Sequence, residues 1–109
     1  MPPKDGAKTE VWIGLVGVEP IQGTDVLDGC MGAYTNVVAL ACDLQDYLRQ
    51  VGEMFAEAGL RVVEVEDVEP FSERIRKWEV SEELERIASE VKVTGSPGFD
   101  ELYGFENED

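Results

Sequence analysis

Leu44, Tyr47, Leu48, Val51, Met54, Phe55 and Ala58 recur at three- and four-residue steps, and that spacing constrains this chain more than any other feature. With 3.6 residues per turn, these side chains fall on one face of a helix. Asp43 stands ahead of the run as a capping residue, and Gly59 follows it as a stop. Gln45, Asp46, Arg49, Gln50, Glu53 and Glu57 take the outward positions. A helix with one apolar stripe must bury it against another element, so the flanking residues are expected to supply a sheet.

Both flanks read as strands. Tyr34 to Ala41 reads as a central strand, and Leu60 to Val68 follows the helix as another. A strand, a helix and a strand joined by short loops form a right-handed crossover, so these two strands are expected to run parallel. Val11 to Val18 is rich in β-branched residues and apolar on both faces, the pattern of a well-covered strand. Gly14 and Gly17 mark irregularity or close backbone approach within it. Glu69-Pro70 ends the strand after the helix, and Pro70 suits the first turn of a short helix over Phe71 to Lys77. Glu73 and Lys77 are spaced to pair on that helix. Ser81 caps a longer helix with Glu82 and Glu83 in its first turn and Leu84, Ile87, Ala88 and Val91 as its buried stripe. Lys92 to Asp109 begins with the turn cluster Thr94-Gly95-Ser96-Pro97-Gly98. Its Phe99, Leu102, Tyr103 and Phe105 make either a short edge strand or a docking peptide.

The expected fold is α+β: a single three- to four-stranded mixed sheet with two main helices on one face, in the order β-β-α-β-α with a final strand if the C-terminal segment supplies one. With that strand added, the order resembles a permuted ferredoxin-like arrangement, a likeness of architecture that carries no function. Residues 1–8 read as a flexible lead-in, 9–105 as a single domain and 106–109 as a frayed acidic tail.

Charge narrows the function. Twenty-four Asp and Glu face nine Lys and Arg, histidine is absent, and the net charge is -15 over 109 residues. Such a field repels nucleic acid and anionic membranes and attracts a basic protein. Without histidine the chain lacks the commonest general base and the commonest metal ligand. A hydrophobic fraction of 43% still suffices for a core, which separates the chain from acidic disordered tails. Cys30 and Cys42 form no Cys-x-x-Cys and cannot frame a small secreted fold. Met1-Pro2-Pro3-Lys4 carries no apolar signal core, and Val37 to Cys42 is too short to span a bilayer. These features point to a cytoplasmic location with reduced cysteines, Cys42 lying in the core.

The Gly-rich connection from Glu19 to Ala33 leads into a strand, and no base lies between Lys8 and Arg49, so it does not suit a phosphate. Cys30 beside Asp28 lacks the cation or base that a nucleophilic thiolate needs. Arg74, Arg76 and Lys77 sit among Glu69, Glu73 and Glu79 and are expected to form local ion pairs, with Arg74 spaced to stack on Trp78. No Asp-x-Asp run has EF-hand spacing. No catalytic residue, cofactor or metal site is expected, and the chain is not read as an enzyme. The leading expectation is a non-catalytic acidic protein that binds a basic protein partner, of the inhibitor or immunity type. Its partner-binding residues are Asp25, Asp28, Glu64, Glu66, Asp67, Glu69, Glu82, Glu83 and Glu85. One alternative is a small-molecule- or divalent-metal-binding domain, or small enzyme, with Asp25, Asp28 and Tyr34 at the 19–33 loop. Another is a structural subunit or homo-oligomer that pairs through an exposed strand.

Overall fold

A computed structural model describes residues 9–21 and 31–105 of the chain. The expected lead-in and tail, together with Asp25, Asp28 and Cys30, lie outside these residues. The elements are β1 (Glu10–Pro20), β2 (Gly32–Ala41), α1 (Leu44–Glu57), β3 (Leu60–Pro70), α2 (Phe71–Lys77), α3 (Glu82–Thr94), β4 (Gly98–Phe99) and β5 (Tyr103–Phe105). The strands form one sheet in the order β3-β1-β2-β4, with β5 also paired to β2.

Every pairing in that sheet is antiparallel, rather than mixed as expected. β2 and β3 do run in the same direction, as the crossover through α1 requires. They never bond to each other because β1 fills the slot between them. Its doubly apolar sequence fits that place, since a strand paired on both sides and covered over most of both faces has few solvated positions. Ile13, Val16 and Val18 are all buried.

The two long helices lie on opposite faces of the sheet, not on one. Side chains alternate across a strand, so neighbours in sequence report opposite faces. On β2, Val37, Ala39 and Ala41 pack with Tyr47, Val51 and Phe55 of α1, whereas Val38 packs with Leu84, Ile87, Ala88 and Val91 of α3. On β1, Trp12, Val16 and Val18 join the first core, and Val11 and Ile13 join the second. This two-sided cover also separates the fold from a permuted ferredoxin-like sheet with both helices on one face. α3 can cross to the far face because α2 and the segment after it carry the chain there from the end of β3, the sheet's edge.

Local chemistry sets the helix ends. Asp43 accepts a hydrogen bond from the Asp46 amide at 2.8 Å, and Asp46 reaches back to the Cys42 amide at 3.1 Å. This turn leaves Cys42 exposed, not in the core as expected. Ser81 accepts from the Leu84 amide at 3.1 Å, and Gly95 ends α3 at φ 79°, a left-handed conformation suited to glycine.

β4 and β5 settle the C-terminal segment as two short edge strands. Phe99 lies 5.3 Å from Phe55 between ring centroids, which ties β4 to the α1 core. On the other side, a Cβ at Gly98 would come within 3.2 Å of Ile87. Asp100 then accepts from Thr35 Oγ1 at 2.9 Å, the Asn36 amide at 3.1 Å and Asn36 Nδ2 at 3.2 Å.

Candidate functional site

α3 covers only part of its face of the sheet. At the uncovered end, Leu15 stands between Asn36 and Glu66, and Gly17 between Tyr34 and Glu64. Residues directly across antiparallel strands share a face, so these six positions form one surface. Tyr34 donates to Glu64 Oε1 at 3.0 Å.

Two register shifts along β3 explain how its carboxylates gather. An extra residue near Val63 leaves that side chain 54% exposed rather than in the core. Asp67 takes φ 57° at the second irregularity, a conformation that aspartate tolerates better than most residues. Glu64 and Glu66 between them point to the α3 face, while Val65 packs against the α1 core.

The same face holds a groove of about 700 Å³ between the sheet, the α2–α3 connection and β5. Leu15, Val80 and Leu84 contribute apolar surface, and Trp78 and Tyr103 stand at its margins, 65% and 56% exposed. Four carboxylates line it (Asp67, Glu69, Glu79 and Asp100) against two bases, Arg74 and Lys77.

Both bases are already engaged. Arg74 donates through Nε to Glu69 and through Nη2 to the Asp67 carbonyl at 2.8 Å, and Lys77 lies 2.7 Å from Glu69. Arg74 first, then Lys77, holds the Glu69 carboxyl below the usual carboxylate range. Glu69 is therefore an internal anchor for α2 and not a free contact for a partner. The expected Glu73–Lys77 pair is replaced in the same way: Glu73 pairs with Arg76 at 3.1 Å, and Lys77 turns to Glu69.

Elsewhere, Arg49 is bound by Asp46 and Glu53, Arg61 by Glu19, and Arg86 by Glu90. Every arginine of the chain is thus occupied by the protein's own carboxylates. Glu64, Glu66, Asp67, Glu82 and Glu85 take part in no such pair with a described residue. Glu64 and Glu66 are linked to each other instead. A hydrogen bond from Glu66, then that from Tyr34, holds Glu64 below its ordinary range. The bond to Glu64 and its charge raise Glu66.

The expected contact residues divide into groups. Glu64, Glu66 and Asp67 come together on one strand. Glu83 lies near Tyr103, whose hydroxyl is raised by Asp100 first, then by desolvation, Glu101 and Glu83. Glu82 is exposed in the first turn of α3, and Glu85 faces a separate cavity beside Phe71 and Ile75. Asp25 and Asp28 lie outside the described residues, as does most of the 19–33 loop, while Tyr34 is turned to Glu64. Asn36 and Asp100 were not anticipated as site residues, and Tyr103 was expected only in an edge strand or docking peptide and Trp78 only beside Arg74, because neither periodicity nor a spaced motif links the four.

Among the described residues no group of three or more Cys, Asp or Glu is placed to hold a metal ion, and no helix is long and apolar enough to cross a membrane. Comparison with family models, curated proteins and solved structures finds no match to this chain.

Proposed function

We propose that this protein is a non-catalytic acidic binding protein whose partner is a basic protein, engaged by the surface that Glu64, Glu66 and Asp67 share with the adjoining groove. The observation that carries this reading is the disposition of charge: the chain's arginines are engaged internally, while Glu64, Glu66 and Asp67, in no ion pair with a described residue, lie together on an exposed sheet face beside a groove. An uncompensated acidic patch steers a cationic partner and raises its association rate. The protein then acts as an inhibitor- or immunity-type molecule, by covering a cationic surface rather than by chemistry. Self-association through β3 is disfavoured on the same grounds, since antiparallel pairing of two copies about Val65 sets Glu64 of one against Glu66 of the other.

The test is association kinetics with a panel of Lys/Arg-rich proteins at about 50 mM and about 300 mM salt, conditions that bracket strong and weak screening. Association should be fast and slow steeply with salt. A Glu64→Gln/Glu66→Gln/Asp67→Asn triple variant should associate more slowly with the same protein. Binding indifferent to ionic strength, or unchanged in the triple variant, overturns the reading.

A further inference from the structure

Resting on that reading, we infer that the groove bounded by Trp78 and Tyr103 receives an arginine side chain of the partner, so that recognition depends on a guanidinium and not on charge alone. The groove is suited to a flat, weakly hydrated cation on a long apolar stem. Leu15 and Leu84 offer surface to the methylenes, and Trp78 and Tyr103 put two aromatic rings in the lining within which the head would sit. Because Glu69 is taken by Arg74 and Lys77, the carboxylates left in the lining are Asp67, Glu79 and Asp100.

Asp100 is the best held of these. Its three hydrogen bonds from Thr35 and Asn36 fix the carboxylate against the edge of β2. A preorganised carboxylate loses little freedom on meeting a guanidinium, and Oδ2, which accepts only the Asn36 side-chain amide, keeps a site for one N–H of the head. Tyr103 is within the field of the same carboxylate, so ring and charge act on one site. Lysine fits less well: its compact ammonium is strongly hydrated and cannot present a planar face to Trp78.

The experiment uses the full chain labelled with 15N and titrated with acetylated, amidated tetra-arginine, followed by 1H–15N NMR. The two tryptophans give separate indole signals, so Trp78 reports on the groove and Trp12 serves as an internal control. The inference requires saturable shifts at the Trp78 indole, the Asn36 side-chain amide and the Leu84 amide. Tetra-lysine should bind about threefold to fivefold more weakly, as should tetra-arginine to Trp78→Ala or Tyr103→Ala, the loss expected for an exposed cation–π contact. Equal binding of tetra-lysine and tetra-arginine overturns the inference. Shifts confined to Glu64, Glu66 and Glu82 overturn the groove as the receptor while leaving the basic-partner reading standing. No shift anywhere at low salt overturns both.

Discussion

The Tyr34 hydroxyl meets Glu64 at 3.0 Å across the width of β1, over a residue that has no side chain. A Cβ at Gly17 would lie 2.9 Å from Tyr34 Cε1. The glycine thus makes room for the ring that links β2 to β3.

Gly17→Val should displace that ring and break the link. We expect a stability loss of about 1 kcal/mol, because Tyr34 is free to swing toward solvent and part of the overpacking is relieved. The Tyr34 phenol, held high mainly by its bond to Glu64, should fall toward its ordinary value. Ring NMR of Tyr34 across an alkaline titration, with denaturant melts, reads both effects. An unmoved Tyr34 titration would refute the packing role given to Gly17.

Tyr47 is the buried counterpart. Its hydroxyl donates to the Val37 carbonyl at 2.8 Å, and burial raises its pKa far above that of a free phenol. A raised native pKa contributes stability that is complete below the unfolded value of about 10 and is lost as pH climbs through the native one. Tyr47→Phe should cost about 1 kcal/mol at neutral pH, the net value of one hydrogen bond. It should also flatten the alkaline fall in stability. Melting curves from neutral pH to about pH 11 measure this, and an equally steep fall in the variant would contradict it.

Glu69 works with the opposite sign. Arg74 and Lys77 lower its pKa, so its contribution is present above the unfolded carboxyl value near 4.3 and fades as pH drops through the native value. Glu69→Gln should cost about 1 kcal/mol at neutral pH, and wild type and variant should converge in acid. Chemical denaturation at several pH values tests this. A constant gap down to about pH 2 would show that the ion pairs are not its source.

Helix entry gives a direct check on sequence chemistry. Asp43→Ala and Ser81→Ala each remove one side-chain acceptor from a helix N-terminus, and each should cost about 1 kcal/mol. The sites lie on opposite faces of the sheet, so the double variant should lose close to the sum. Equilibrium unfolding of the three variants decides it, and a strongly non-additive pair would mean the two cores are coupled.

The elements were legible because their signals are local. Of the 44–58 stripe, Tyr47, Val51, Phe55 and part of Met54 reach the core while Leu44, Leu48 and Ala58 stay exposed; the caps at Asp43 and Ser81 and the apolar runs in β1, β2 and β3 reappear as structure. Sheet order was not legible. The same alternation in β2 serves two cores, and only contact shows that Val37 and Val38 look toward different helices. Glu64 and Glu66 were recognisable as an outward pair from their spacing, but the extra residue at Val63 was hidden, since a bulge leaves no mark in hydropathy. The fate of Glu69 depended on bases five and eight positions later folding back onto it. Asn36, Asp100 and Tyr103 meet only because β4 and β5 return to β2, a long-range event without a local code.

β1, flanked by β3 and β2, is also the first of the described strands in sequence. As the polypeptide leaves the ribosome, β1 emerges before either neighbour. β2 follows and finds a finished template, and β3 arrives next to the opposite flank once α1 has turned the chain. Each newcomer adds to an edge that already exists, so each described strand after β1 meets a partner already translated.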